Sequence, residues 1–148
     1  MSTAESSPAS EGRSRRRLQW TLAVLAAVPA ASAGREIVLG PQGVPGGSPD
    51  VTPTVDSALR YANVFKFAVG PFIWSQLGRV ERSPGLTYAL ASLFVGGLAR
   101  LGSWQQRGRP HPVTVGAVVL EIAAPPLLIA WQRRIRTRPR RPSTNATA

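Results

Sequence analysis

The sequence predicts an all-α protein, a polytopic transmembrane four-helix bundle with both termini in the cytoplasm. Two observations lead to this prediction. Apolar residues are segregated into four stretches close to bilayer length, separated by segments rich in Gly, Pro and Arg. The arginines also fall mostly on one side of the resulting topology, the distribution that orients membrane proteins. A chain of 148 residues is long enough for one such unit.

The first span is predicted at residues 18–34, slightly short of the ~20 residues that cross a bilayer. It extends toward Leu39 if Arg35 and Glu36 snorkel or pair. It follows residues 1–17, a basic segment without apolar periodicity that is predicted to be disordered. A cleavable signal peptide is the alternative for this apolar run, because basic residues precede it and the small residues Ala31-Ser32-Ala33 end it. Residues 34–56 are dense in Gly and Pro and predict an outer loop.

Three further spans are predicted, each close to the ~20 residues that cross a bilayer: residues 58–77, 84–103 and 112–131. Asp56 or Ser57 is the predicted N-cap of the second span. Ser83 as N-cap, followed by Pro84, is typical of a helix start and begins the third. Together the spans predict a membrane domain at 18–134, followed by a disordered, Arg-rich tail at 135–148.

The distribution of arginine predicts the orientation. With the N-terminus inside, the cytoplasmic side receives twelve arginines: Arg13, Arg15, Arg16, Arg17, Arg79, Arg82, Arg133, Arg134, Arg136, Arg138, Arg140 and Arg141. The outer side receives only Arg35, Arg107 and Arg109. Lys66 is the only lysine, and such a bias is typical of a GC-rich bacterial genome. The sequence therefore predicts a multi-pass protein of a bacterial plasma membrane.

Composition excludes several kinds of site. The chain has no cysteine, and therefore no disulfide, thiol nucleophile or iron–sulfur cluster. Its single histidine, His111, supports neither a catalytic triad nor a histidine-rich metal site, and no cofactor or metal is expected. The net charge of +11 comes mainly from the termini. We expect these tails to contact anionic lipids of the bilayer, and no nucleic acid, because they lack interleaved aromatic residues.

Ionisable and polar residues inside the predicted spans are the candidate site. Each charge at mid-span costs roughly 2.5–3.5 kcal/mol, so such groups face the bundle interior or each other. The candidate cluster contains Arg60, Asn63, Lys66, Arg100 and Glu121. Lys66 and Glu121 lie at similar depths, ~12 and ~13 Å from the outer ends of their spans, which predicts an ion pair between them. Asn63 is predicted to bridge Arg60 and Arg100 to Glu121.

Small and polar residues also share helix faces. Arg60, Asn63, Phe67, Gly70 and Trp74 lie on one face of the second span. The third span has such a face as well, with Ser92, Gly96 and Arg100, and so does the fourth, with Thr114, Ala117, Glu121, Ala124 and Leu128. Small residues at this spacing favour close helix packing, and a substrate path is the alternative.

The motifs SALRY at residues 57–61 and GGLARL at 96–101, together with Glu121, resemble a known family. It is a bacterial family of small four-helix membrane proteins catalogued only as a domain of unknown function, number forty-three forty-five. The resemblance covers residues 18–134 and implies that Arg60, Arg100 and Glu121 are the polar positions of the family. Asn63 and Lys66 depart from the small glycines expected after Arg60, and no activity or cofactor is implied.

Three functional hypotheses follow from these residues. The preferred one is a non-enzymatic accessory or interaction protein, with a membrane protein as partner, whose polar cluster fixes the bundle geometry. The alternative is a small transport or ligand-binding protein. In it Arg60, Arg100 and Glu121 would line an outward-opening site for an anionic ligand or lipid headgroup. The third is a membrane enzyme with Glu121 as general acid or base.

Overall fold

The computed structural model of the chain describes residues 8–137. Over this range the fold is all-α, with four helices and no strand. The helices are α1 (Pro8–Leu39), α2 (Pro53–Gln76), α3 (Pro84–Arg107) and α4 (Pro112–Arg136), and two short 3₁₀ turns follow α1 and α2, at Gly40–Gly43 and Leu77–Arg79. The predicted fold class is confirmed at this level.

Three of the four helices begin in the same way, with a side-chain cap followed by proline. The capping residues are Thr52, Ser83 and His111, and the prolines are Pro53, Pro84 and Pro112. The hydroxyl of Ser83, for example, accepts a hydrogen bond of 3.1 Å from the backbone N–H of Leu86. Proline fits this position because its missing N–H has no partner in the first turn. The predicted start of α3 is therefore confirmed, whereas Asp56 and Ser57 lie inside α2 and do not cap it.

The first helix begins earlier than predicted and includes the extension that depended on Arg35 and Glu36. It begins at Pro8, so that residues 8–17 are helical and not disordered, and it continues to Leu39. The loop therefore begins at Gly40 rather than near residue 34. Arg15 holds the N-terminal turns in place. It donates hydrogen bonds to the Glu81 carboxylate (3.1 Å) and to the Gly78 carbonyl (2.7 Å). Tertiary contacts thus stabilise a segment whose polar composition alone predicted disorder.

The C-terminal boundary also differs slightly. α4 continues to Arg136, two residues into the segment predicted as a disordered tail. Residues 138–148, which make up most of that tail, lie outside the described residues, as do residues 1–7 of the N-terminal segment.

Three helices in the described part of the chain are long and apolar enough to cross a membrane: the segments Gly12–Gly43, Pro84–Arg107 and Pro112–Arg136. These correspond to α1, α3 and α4 and indicate a membrane protein. α2 is not in this group, because Arg60, Asn63 and Lys66 lower its hydropathy. Large apolar side chains on the outside of the bundle agree with a lipid environment, among them Val24, Tyr88, Val95 and Leu127.

The helices form two closely packed hairpins, α1 with α2 and α3 with α4, and the hairpins contact each other less extensively. A glycine allows each close approach. A Cβ at Gly70 of α2 would lie 2.7 Å from the Ala30 Cβ of α1, and a Cβ at Gly97 of α3 would lie 2.9 Å from the Glu121 Cβ of α4. Small residues at helix contacts are the usual device of membrane bundles.

The two ends of the bundle differ in character. The basic end contains the start of α1, the α2–α3 turn and the end of α4, and most of the buried apolar core lies in this half: Leu18, Leu22, Ile73, Val80, Leu86, Leu90 and Leu128. The opposite loop end contains residues 40–52 and the α3–α4 connection. There a Cβ at Gly46 would lie 3.2 Å from the His111 Cβ.

A buried glutamine joins three elements at the basic end. The Gln132 amide of α4 donates to the carbonyls of Val80 (2.8 Å) and Ser83 (3.0 Å), and its oxygen accepts from the Thr87 hydroxyl at 2.9 Å. These three bonds replace the hydrogen bonds to water that the amide loses on burial. Gln132 therefore fixes the α2–α3 turn and the start of α3 against the end of α4.

Candidate functional site

A cavity of about 640 Å³ lies between the two hairpins. All four helices line it, and so do Gly43, Val44 and Pro45 of the loop that follows α1. The part nearer the basic end is apolar, with walls formed by Leu22, Leu25, Ile73, Leu90, Leu93 and Leu128. The part nearer the loop end is polar. The cavity is thus amphipathic along its length.

Five ionisable side chains line the polar part of the cavity: Arg35 and Glu36 of α1, Lys66 of α2, Arg100 of α3 and Glu121 of α4. Three of them, Lys66, Arg100 and Glu121, belong to the cluster predicted from sequence. Three are cationic and two are carboxylates, so the polar part carries one positive charge in excess when all are ionised. Apolar walls strengthen the field of such charges because they exclude water.

Lys66 pairs with Glu36. Its Nζ lies 3.1 Å from Glu36 Oε1 and 3.4 Å from Oε2, and both side chains are largely buried, with 20% and 10% of their surface exposed. The predicted Lys66–Glu121 pair is therefore wrong. α2 and α4 share no helix–helix contact, so equal depth does not bring these two side chains together. The pair is formed within the α1–α2 hairpin instead.

Glu121 faces Arg100 across the α3–α4 hairpin. The Arg100 Nε lies 3.5 Å from Glu121 Oε2, which is ion-pair distance, but that oxygen is buried and accepts no hydrogen bond from any described group. A buried carboxylate oxygen without a donor is costly, so this oxygen is a candidate acceptor for a water molecule or a ligand. Gly97 is the residue that lets α3 come this close to Glu121.

Arg60 lies outside the cavity and stabilises the α1–α2 connection. Its Nε donates to both carboxylate oxygens of Asp56, at 3.1 and 3.0 Å, and its Nη1 donates to the carbonyls of Ile37 (2.5 Å) and Val38 (3.2 Å). A cation at the C-terminal carbonyls of α1 is favourable for the helix dipole. Gly40 has a φ of +59°, and a Cβ there would collide with Asp56 and Arg60.

Asn63 is buried but does not link the arginines to Glu121. Its side-chain amide donates to the Leu59 carbonyl at 2.9 Å, one turn earlier in the same helix. The predicted role of Asn63 as an intermediary is therefore wrong. The side chain satisfies its donor locally, as short polar side chains commonly do inside helices.

Arg35 and Glu36 are cavity residues that the predicted cluster lacks. The sequence placed them in the Gly/Pro-rich loop or, if they snorkel or pair, in an extension of the first span, and they occupy the last turns of α1. The signal that could have found them is the pair of charges directly after an apolar run slightly short of a bilayer span. Arg35 Nη1 donates to the Gly43 carbonyl (2.5 Å), which connects the loop to the cavity lining.

The predicted helix faces differ in what they contact. The face of α2 packs on α1: Phe67 lies beside Gly34, and Trp74 Nε1 donates to the Ala23 carbonyl at 3.0 Å. The face of α4 lines the cavity along its whole length, from Thr114 to Leu128. The face of α3 does not form the predicted contact at Gly96, which has open space beside it.

No group of three or more His, Asp or Glu side chains in the described range is arranged to hold a metal ion. The chemistry that the cavity offers is electrostatic and hydrogen-bonding: three cationic donors, one satisfied carboxylate and one carboxylate oxygen that lacks a donor.

Comparison with known proteins gives a family and no activity. A family profile described as "Domain of unknown function (DUF4345)" matches residues 17–132, which include every element of the cavity. Neither the curated proteins nor the solved structures contain a match to the chain. Since the matched region covers most of the sequence, the chain belongs to the DUF4345 family, the family that its motifs resembled.

Proposed function

We propose that the protein binds an anionic, single-chain amphiphile in the cavity between its hairpins. The headgroup would lie among Arg35, Lys66 and Arg100, and the chain would extend along the apolar walls toward the basic end. The observation that supports this most directly is the composition of the cavity, with five ionisable side chains at one end and leucines at the other. This corresponds to the predicted ligand-binding alternative, with Arg35 and Lys66 in place of Arg60.

The charges favour an anionic headgroup. Glu36 is satisfied by Lys66, and Arg100 is shared with Glu121, so Arg35 is the cation in the cavity that has no carboxylate partner among the described side chains. The free Oε2 of Glu121 would accept a hydrogen bond from a hydroxyl on the same headgroup. An anionic headgroup therefore suits Arg35, and a headgroup that also carries a hydroxyl would in addition supply the donor that Glu121 Oε2 lacks.

The volume favours a ligand with one chain. Taking ~30 Å³, the liquid volume of a water molecule, as the space for one heavy atom, a cavity of about 640 Å³ accommodates roughly twenty atoms. A long-chain acid or a comparable monoester has this size, whereas a two-chain phospholipid is more than twice as large. Cavities of this size are typical of small-molecule sites.

We also infer that all four helices span the plasma membrane of a bacterium, with the basic end in the cytoplasm. The polar groups of α2 support its role as a fourth span. Lys66 is paired with Glu36, Arg60 contacts carbonyls of α1, and Asn63 bonds within its own helix. Each of these three side chains therefore has a hydrogen-bond partner inside the protein, as is usual for polar side chains in membrane spans. The polar part of the cavity would then lie in the outer half of the membrane, beneath the loop.

The predicted role as an accessory subunit has weaker support, because no feature of residues 8–137 identifies the surface of a partner chain. A stoichiometric protein that co-purifies in native lipid would favour that role. The enzymatic hypothesis rests on Glu121 alone.

Binding of hexadecanoate, measured by native mass spectrometry in a mild non-ionic detergent, tests the proposed function. We expect one molecule of hexadecanoate to bind, and hexadecyltrimethylammonium, of the same chain length and opposite charge, not to bind. Arg35→Gln should raise the Kd of hexadecanoate about tenfold, or ~1.4 kcal/mol, the scale of one charge-assisted hydrogen bond.

Arg107→Gln is the matched control, because Arg107 ends α3 at the same end of the bundle and does not line the cavity. It should leave the Kd unchanged. Equal binding of the two amphiphiles, or equal loss of affinity in the two variants, would contradict the proposal.

A further inference from the structure

We propose that the basic end contains a second, independent site: a groove beside α1 and α4 that binds the headgroup of an anionic phospholipid. The groove has a volume of about 490 Å³ and is lined by Arg13, Arg16, Arg17, Trp20, Thr21 and Trp131. Its ligand class is set by these residues, three guanidinium groups and two indole rings. Nothing in the amphiphile site of the cavity contributes to it.

The arginines share one face of α1. Residues 13, 16, 17 and 20 follow the three-four spacing of neighbours on a helix, so that the three guanidinium groups and the Trp20 ring point to the same side. All four side chains are exposed. Guanidinium groups suit a phosphate because their donors are arranged in a planar fork that matches two phosphate oxygens.

The arginines of the groove are available to bind a ligand, because a different arginine makes the structural contacts of this segment. Arg15 is the arginine in this segment that pairs with Glu81, and it faces the α2–α3 turn. Arg13, Arg16 and Arg17 take part in none of the ion pairs found between described side chains. Three adjacent cations without a carboxylate partner among the described side chains produce a strong local positive potential.

The position of the groove indicates a lipid rather than a soluble phosphate. α1 has 32 residues, or ~48 Å at 1.5 Å per residue, and is thus longer than the ~30 Å hydrocarbon core. Its basic turns therefore lie at headgroup level when residues 18–33 cross the core. Trp20 is 68% exposed, and Trp131 is held by a hydrogen bond of 3.1 Å from its Nε1 to the Ser14 hydroxyl. Tryptophan is the residue typical of this interface.

The test compares lipid binding by native mass spectrometry in non-ionic detergent, using dioleoylphosphatidylglycerol and dioleoylphosphatidylcholine as probes. We expect the anionic lipid to be retained and the zwitterionic lipid to dissociate. The triple variant Arg13→Gln, Arg16→Gln, Arg17→Gln should weaken binding of the anionic lipid at least tenfold, since one arginine near an anionic lipid contributes about fivefold. The triple variant with lysine at these positions should retain part of the affinity.

The matched control is the triple variant Arg133→Gln, Arg134→Gln, Arg136→Gln. It removes the same charge from the same end of the bundle, from exposed residues that do not line the groove. Binding should be nearly unchanged in this control. Equal losses in the two glutamine triples would overturn the proposed site and leave only the general attraction of a basic surface.

Two further outcomes are decisive. If inorganic pyrophosphate displaces the lipid at equal concentration, the site is one for soluble phosphates and the lipid assignment is wrong. If the glutamine triple does not fold, as judged by gel filtration and circular dichroism, the single variants Arg13→Gln and Arg17→Gln give the same comparison. Hexadecanoate binding in the cavity should be intact in every variant, so failure of this site is distinguishable from failure of the proposed function.

Discussion

Glu121 is the residue whose environment differs most from that of the other buried charges. Lys66 and Glu36 satisfy each other at hydrogen-bond distance, whereas Glu121 has an ion-pair partner at 3.5 Å and an oxygen without a donor. Sequence alone identified Glu121 as a candidate from its mid-span position but assigned the wrong partner. Depth along a helix fixes one coordinate, and the direction in which a side chain points depends on which helices are neighbours.

The pairing of Glu121 is testable by a double-mutant comparison. Glu121→Gln leaves Arg100 without its carboxylate and should lower the free energy of unfolding by ~1–3 kcal/mol. Adding Arg100→Met should restore part of this loss, whereas adding Lys66→Met should not. Thermal unfolding in detergent measures all four proteins. Restoration by Lys66→Met would show that the Lys66–Glu121 pair exists after all.

Glu81 is a second residue with a defined electrostatic role. Burial acts to raise the pKa of this carboxyl. A hydrogen bond from the backbone of Glu81 itself and the charges of Arg15 and Arg82 outweigh burial, so the pKa lies below its ordinary value of 4.5. A carboxyl with a lowered folded-state pKa stabilises the fold above its unfolded-state pKa, and this contribution is lost as pH falls through the folded-state pKa.

The Glu81 contribution predicts a pH-dependent mutational effect. Glu81→Gln should lower stability at pH 7 by less than ~1 kcal/mol, because the Arg15–Glu81 pair is partly exposed. The difference from the unsubstituted protein should vanish as pH falls below 4.5. Thermal unfolding between pH 7 and pH 3 measures this difference, and a deficit that persisted at the lowest pH would exclude an electrostatic origin.

At the scale of elements, each of the two hairpins depends on one glycine. The sequence predicted the glycine of the α1–α2 hairpin and missed the glycine of the α3–α4 hairpin. The face of α2 that contains Gly70 was recognised from its spacing, because small and aromatic residues recur there every three or four positions. On α3 the same reasoning selected Gly96, whereas Gly97 makes the contact. Adjacent glycines point about 100° apart on a helix, and no apolar periodicity distinguishes them in a helix that is apolar all round.

The adjacent glycines of α3 offer a matched pair of substitutions. Gly97→Ala would place a Cβ 2.9 Å from Glu121 Cβ and 3.0 Å from Ile122 Cγ1, and should lower the unfolding free energy by ~1–3 kcal/mol. Gly96→Ala meets nothing within 4 Å and should be neutral or slightly stabilising, because alanine has the higher helix propensity. Thermal unfolding compares the stabilities of the two variants. Equal losses of stability would exclude Gly97 as the residue at which α3 closely approaches α4.

At the scale of the whole molecule, the all-α fold and the starts of α3 and α4 were predictable, because caps and prolines indicate where these helices begin. Their ends were not, since α3 continues to Arg107 and α4 to Arg136, beyond the predicted ends at 103 and 131. The cavity was not predictable, since its existence depends on the distance between the two hairpins. The early start of α1 was also missed, because its first turns are stabilised by Arg15 contacting the distant α2–α3 turn. Long-range contacts of this kind leave no local pattern in the sequence.

The proposed topology is testable with single cysteines, since the chain contains none. With four spans and the basic end inside, Ser48→Cys and Gln105→Cys should react with a membrane-impermeant maleimide in intact cells. Gly78→Cys and Thr137→Cys should react only after lysis. Labelling of Gly78→Cys in intact cells would show that α2 does not cross the membrane.

Photocrosslinking tests the cavity site most directly, with hexadecanoate that carries a diazirine at mid-chain, followed by mapping of the labelled residues. The proposed cavity site predicts labels on Leu22, Leu90 and Leu128, which line the cavity, and displacement by unlabelled hexadecanoate but not by hexadecyltrimethylammonium. Labels confined to the outer residues Val24, Val95 and Leu127, or equal displacement by both competitors, would contradict it.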